Sequence, residues 1–321
     1  MSAADTVNLS SVLLSGGQVA LVLAGAPLLV GLMRQVRARL DGREGAGIWQ
    51  PWRDLRKLLR KTRIAPEGTG PAFRVAPLLA VACTAMAAAV VPLISTRTGL
   101  GPGADLIAVV ALLTLAAAAL ALAGLDTGTA FGGMGASREM TITALAEPTI
   151  LMAVFALGTR VGSTNLPQIV TAGVQHGGRL ASPASLLAAF ALGVVVLAET
   201  GRLPVDNPAT HLELTMVHEA MVLEYAGPDL ALVELGAAMR LTVLLGLWAS
   251  LFAPWGIATA TGPAALALGL GVLVGKLALL AVLLAAGEVF MAKLRLFRVP
   301  ELLAGSFLLS VLAVTASFFL T

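Results

Sequence analysis

Long apolar runs recur along the chain, at residues 12–33, 75–95, 104–125, 138–159, 183–199, 233–254, 263–287 and 301–320, with shorter polar segments between them. A helix needs about 20 apolar residues to cross a hydrocarbon layer of about 30 Å, and only the fifth run falls short of that. The pattern predicts an all-α polytopic membrane protein with about eight transmembrane helices, forming a single transmembrane domain over residues 1–321. No basic side chain precedes the first run and the first, Arg34, lies beyond it, so this run reads as an anchor and not as a signal peptide.

Two polar segments carry helical patterns of their own. In the first, Trp49, Trp52, Leu55, Leu58 and Leu59 mark one side of a short helix, with Arg53, Arg56, Lys57, Arg60 and Lys61 on the rest. This predicts an amphipathic helix lying at the cytoplasmic interface, its tryptophans at headgroup level. In the second, Pro204, Pro208 and Gly201 break the chain, Asn207 sits where an N-cap belongs and Pro208 at the first helical position. A helix over 208–225 is expected there, apolar nearly all round and therefore buried.

Composition fixes the class: 58% of residues are hydrophobic and 12% charged, and mean hydropathy is +0.90, as in a membrane protein. Of the 21 Lys and Arg, eleven fall between Arg34 and Arg74. Arg138, Arg202, Lys293, Arg295 and Arg298 share their face, against Arg97, Arg160 and Arg179 on the other. Cytoplasmic segments carry such an excess. Both termini are therefore expected outside, and segments 34–74, 126–137, 200–232 and 288–300 inside. The net charge of +3 reflects this asymmetry, so no nucleic-acid partner is expected. Cys83 stands alone inside a span, and His176 lies on the opposite face from His211 and His218. Neither an iron-sulfur site nor bis-histidine haem ligation follows, and no cofactor or metal is expected in this chain.

Candidate chemistry concentrates in 199–227, which holds Glu199, Asp206, Glu213, Glu219 and Glu224 with His211 and His218. On a helix Glu213 and Glu224 fall within about 20° of each other, and His211 and His218 form a stripe about 150° away. Carboxylates in such apolar surroundings are expensive to keep charged, which suits them to exchange protons. Glu147, inside the fourth span, is a second candidate, and Arg240 and Lys276, within the sixth and seventh, should face carboxylates such as Glu199 and Glu234, or water. Arg202 and Asp206 are close enough in sequence to pair. Two motifs fail. Gly124, Gly128, Gly132, Gly133 and Gly135 lack the Gly-Lys-Ser/Thr of a phosphate loop and are better suited to sharp turns or close helix approach. His218-Glu219 lacks the second histidine of a zinc protease, Val222 standing in its place.

The stretch AETGRLPVDNPATHLELTMVHEAMVLEYAG, with REGAGIWQPWRDLRKLLRK, Arg138 nine residues before Glu147, and KLRLFRVPELL, resembles the membrane subunits that anchor group 4 nickel-iron hydrogenases. The resemblance is to the subunit 4 type of formate hydrogenlyase, itself similar to subunit 1 of respiratory complex I, and covers essentially the whole chain. It implies an eight-helix, non-catalytic heel subunit in the cell inner (plasma) membrane. Its partners would be the nickel-iron hydrogenase large and small subunits, an iron-sulfur protein and antiporter-like membrane subunits. It also implies a line of buried acids matching Glu147, Glu199, Asp206, Glu213 and Glu224, continued by Arg240 and Lys276 as a proton relay, with Arg138 and Arg202 facing the peripheral arm. The longer spacing between Glu213 and Glu224, and the less acidic surroundings of Asn207 and His211, depart from the complex I pattern and favour the hydrogenase branch over a quinone-reducing one. A self-contained ion transporter, motivated by Arg240, Lys276 and Glu147, and a purely structural anchor are the competing readings. The halves show no internal repeat of the kind transporters carry.

Overall fold

The computed structural model describes residues 9–97, 99, 103–175, 182–206, 216–260, 262–291, 294 and 298–319. Expectations placed on His176, Arg179, Asn207, His211, Glu213, Lys293 and Arg295 lie outside these residues. The described helices are α1 Leu9–Leu40, α2 Gln50–Leu59, α3 Pro71–Val90, α4 Leu106–Asp126, α5 Ala130–Gly158 and α6 Leu166–Gln175. They continue with α7 Pro183–Glu199, α8 His218–Val222, α9 Gly227–Phe252, α10 Pro263–Phe290 and α11 Val299–Phe319. Among the described residues there is no strand, only isolated bridges of Ser95 with Ala258 and Asp105 with Asn165. Helices α1, α3, α4, α5, α9, α10 and α11 are long and apolar enough to cross a membrane. The shorter apolar helix α7, of 17 residues, extends about 26 Å and supplies the eighth crossing.

Contacts between connections sort into two faces, as eight alternating crossings require. On one, Arg63 pairs with Asp229 at 2.6 Å, Arg138 donates to the Met216 carbonyl and the Leu294 amide donates to Pro204. On the other, Gly99 bonds Ser11, Ala258 bonds Ile94 and Leu166 bonds Ala104 through the backbone. The basic segment 34–74 belongs to the first face.

Small residues let the helices approach. Ala80 and Cys83 of α3 meet Ala116 of α4, and α5, α7 and α11 pack mutually. Helix α9 is buried on nearly every side over Ala238–Leu247, whereas α10 packs on α1 and α9 and exposes Leu268, Val274, Leu279 and Leu283. Between α4 and α5 the chain turns at Gly128, with φ of +65°, and a Cβ on Gly135 would stand 2.9 Å from the Val217 carbonyl. That is the turning and close approach expected of this glycine-rich stretch; Gly133, by contrast, has open space beside it.

Two prolines in or after α3 leave helical carbonyls without their usual donor, because proline has no N–H to give to the residue four before it. Phe73 is four before Pro77, and the Tyr225 hydroxyl donates to the Phe73 carbonyl at 2.8 Å, its ring stacked on that of Phe73. Ala88 is four before Pro92, and the buried Gln18 amide donates to Ala88 and to Val91 while accepting from the Ile94 amide. Side chains from α1 and from the segment before α9 thus complete α3.

The fourth span begins at Ala130 instead of 138, capped by the Thr129 hydroxyl, and the structure departs from the sequence pattern in three further places. The helix expected over 208–225 is not continuous: Met216 and Val217 are non-helical, α8 spans only His218–Val222, and Glu224 lies in the turn after it. The burial that continuous apolar patterning suggests is met here by a short helix wedged against α4 and α5. The sixth span starts at Gly227 rather than 233, with Pro228 in its first turn. Helix α6, between the fourth and fifth spans, had no separate signal.

Candidate functional site

A cavity of about 270 Å³ opens on the basic face between α1, α2, the α7–α8 connection, α9 and α10. Its walls are apolar where α1, α2 and α9 contribute Val30, Met33, Leu55, Val233 and Leu241. Arg34, Arg37, Arg202, Asp206, His218, Glu219, Glu234 and Glu288 place charge or a titratable group on it. Its volume lies just under the roughly 300–1,000 Å³ of typical ligand pockets.

Glu288, 4% exposed, anchors the wall. It pairs with Arg37 of α1 and, at 3.5 Å, with Arg202 of the α7–α8 connection, so one acid from α10 ties together three parts of the chain. Burial, aided by Arg37 and Arg34 nearby, pushes Arg202 down to about 10, which leaves it charged at neutral pH. Glu288 carried no signal in the sequence, where it sits at the end of an apolar run and reads as a boundary residue. The pairing anticipated between Arg202 and Asp206 is replaced by Arg202 with Glu288. Asp206 instead accepts from the Val217 amide at 3.3 Å, bridging the entrance of α8 to the end of the α7 connection.

Below the cavity lies the second part of the site. Ala237, Ala238 and Leu241 of α9 line the cavity, and Arg240, among them in sequence, points instead to α7, where it pairs with Glu199. Both are 8% exposed. This is the partner the sequence offered for Arg240. Thr200 and Gly201, the next residues after Glu199, line the cavity, so the pair is contiguous with the cavity wall. Glu139 and Glu147 of α5 lie within electrostatic range of Arg240. The Glu147 carboxyl meets the Thr114 hydroxyl of α4, and that hydroxyl also faces the Val110 carbonyl at 2.9 Å. A hydroxyl has one proton. When Thr114 gives it to Val110, the contact with Glu147 requires a protonated carboxyl; when Glu147 is ionised, Thr114 must turn its proton to it.

The remaining candidates stand apart. Arg138 donates to the Met216 carbonyl at 2.9 Å and is engaged within the chain. Glu224 does not line the cavity. Lys276 meets no carboxylate among the described residues: its ammonium donates to the carbonyls of Ala253 and Trp255 and lies 5.5 Å from the Trp255 ring. The acid partner expected for it is replaced by backbone dipoles and an aromatic face, and it sits about 18 Å along α10 from Glu288. Among the described residues no three His, Cys, Asp or Glu converge as metal ligands, and Cys83 is buried in α3. Nearby, burial and then Asp229 and Asp126 push the Tyr225 hydroxyl up, so it remains a donor to Phe73.

Comparison with known proteins now bears on this arrangement. The family model described as NADHdh, NADH dehydrogenase, matches residues 15–319. The chain belongs to this NADH dehydrogenase family. Hydrogenase-4 component C of Escherichia coli (strain K12) is 34% identical over 296 residues, 92% of this chain and 92% of its own. Formate hydrogenlyase subunit 4 of the same organism is 33% identical over 296 residues, 92% of this chain and 95% of its own. Among solved structures, a chain of the membrane-bound sulfane sulfur reductase (MBS), an archaeal respiratory membrane complex, superposes with a TM-score of 0.79. It is 20% identical, and the match covers 94% of this chain and 99% of that one. This NADH dehydrogenase family member thus shares its fold with a chain of a respiratory membrane complex and about a third of its aligned residues with hydrogenase-4 component C and formate hydrogenlyase subunit 4.

Proposed function

We propose that this chain is the membrane heel subunit of a redox-driven hydrogenase or formate hydrogenlyase-like complex, joining a peripheral electron-transfer arm to antiporter-like membrane subunits. It carries no catalytic centre or cofactor of its own and relays protons through buried carboxylates. The observation that carries this reading is the Glu199–Arg240 pair, buried directly beneath a charged cavity on the basic face. Likeness over 92% of the chain to hydrogenase-4 component C and to formate hydrogenlyase subunit 4 supports the assignment to the hydrogenase branch.

In this account the cavity is the water-accessible antechamber. An event in the docked arm acts on the Arg37–Glu288–Arg202 cluster, and the resulting change in field alters how firmly Arg240 holds Glu199 ionised. Glu199 and Glu147 are the proton stations inside the membrane and Asp206 stands at the entrance. Glu213 and Glu224 extend the line toward the arm, and Lys276 belongs to its far end on the opposite face. The chain lies in the plasma membrane with both termini outside and the basic segments in the cytoplasm. Arg138 and Arg202 act near the arm by holding the segments that would meet it.

The chains that co-purify in mild detergent test the assignment. A nickel-iron large and small subunit pair, an iron-sulfur protein and antiporter-like subunits are expected. Purification as a lone, transport-active protein would favour a self-contained transporter instead.

A further inference from the structure

Three buried polar atoms near the middle of the bundle have no hydrogen-bond partner: Thr143 Oγ1 on α5, Glu199 Oε1 on α7 and Arg240 Nε on α9. All three lie on helices that pack in succession, α5 on α7 and α7 on α9. Thr143 is one turn from Glu139 and one turn from Glu147, so the three form a continuous stripe on α5, and both acids of that stripe act on Arg240. Thr143 is 2% exposed.

The three atoms are complementary in a specific sense. Arg240 Nε is a donor only, the free oxygen of ionised Glu199 an acceptor only, and the Thr143 hydroxyl both. Pairing Thr143 directly with Glu199 would still strand the arginine donor. One water molecule can accept from Arg240, donate to Glu199 and bond Thr143, the three contacts that buried waters typically make. Leaving such atoms unpaired is costly, most of all for the charged groups.

We infer that Thr143, Glu199 and Arg240 form a buried water site, and that Thr143 is the positioning residue joining the Glu199–Arg240 pair to Glu147. Once Glu199 has taken up a proton from the cavity, that proton passes to this water as the water gives one to Thr143. The Thr143 hydroxyl takes up one proton as it releases its own toward Glu147, so bonds formed and broken balance at each oxygen. The site stands on the three unpaired atoms alone; its role in conduction rests on the relay reading above.

Cryo-electron microscopy of the assembled complex, at a resolution that shows ordered water, tests the site. Density within hydrogen-bonding distance of all three atoms is expected, retained in Thr143→Ser and lost in the isosteric Thr143→Val. Direct pairing of these atoms with protein groups, without such density, would overturn it. The role is read in vesicles as ions translocated per hydrogen evolved. Thr143→Val should lose translocation and Thr143→Ser keep it, whereas a wild-type ratio in Thr143→Val would overturn the positioning role. If Glu199→Gln and Glu147→Gln both translocate normally while the density persists, the relay reading fails and the water site stands.

Discussion

Arg240, about 20 Å along α9 from its first residue, donates to Glu199, the last residue of α7, and both are buried. An unpaired cation at that depth costs several kcal/mol, so the pair holds the two helices in register and, in the proposed relay, keeps Glu199 ready to exchange a proton. The two roles separate experimentally. Removing one partner, as in Arg240→Ala or Glu199→Ala, should cost about 3–5 kcal/mol and lower the yield of assembled complex, because the other charge is left uncompensated. Replacing both with apolar residues, Glu199→Leu with Arg240→Met, should restore assembly on native gels and leave ion translocation lost. A double variant that both assembles and translocates would show that the pair only holds the fold.

Glu288 should prove as sensitive as any acid in the proposed line. Glu288→Ala leaves Arg37 and Arg202 as like charges on one cavity wall. A stability loss of about 3 kcal/mol is expected, the low end for a buried pair because Arg37 is partly exposed. Thermal unfolding of the detergent-solubilised complex measures it, and Glu288→Gln should lose less. An unchanged transition in Glu288→Ala would remove the cluster from the account.

Tyr225 and Gln18 stand in for the donors that Pro77 and Pro92 cannot supply. Tyr225→Phe and Gln18→Leu should each destabilise by about 1–3 kcal/mol, the cost of a stranded buried carbonyl, and at opposite ends of α3 their effects should add. The same melting measurement checks both. Stability unchanged in either variant would mean that the carbonyl finds another donor.

The eight crossings and α2 were legible because each rests on local periodicity and length, and bilayer thickness leaves little choice in either. Arg240 with Glu199 was legible for a related reason: a lone cation in a span must find an acid, and few were available. Glu288 was not, because its importance comes from Arg37 and Arg202, residues 251 and 86 positions away in the chain. Thr143 was silent for the same cause, one threonine among many until α7 packs against α5. The length of α8 was misjudged because uniform apolarity indicates burial without saying which backbone path achieves it. Lys276 was paired with acids on charge alone, whereas loop carbonyls folded over α10 satisfy it first.

Orientation is open to a direct check. The only cysteine is Cys83, buried in α3, so a cysteine introduced by Arg56→Cys should be the one reactive thiol of this chain. Membrane-impermeant reagent should label it from the cytoplasmic side alone. Labelling from outside would invert the topology and remove the antechamber from the cytoplasm.

The central claim is that protons pass through the buried acids of this chain while electrons are handled elsewhere. Glu199→Gln keeps the shape of the side chain and removes its charge, and the decisive quantity is the number of ions translocated per hydrogen evolved by the assembled complex in vesicles. The account predicts that this ratio falls sharply, while hydrogen evolution from a soluble artificial donor falls much less. A wild-type ratio, or equal losses of translocation and hydrogen evolution per assembled complex, would contradict it and leave Glu199 as structural support for Arg240.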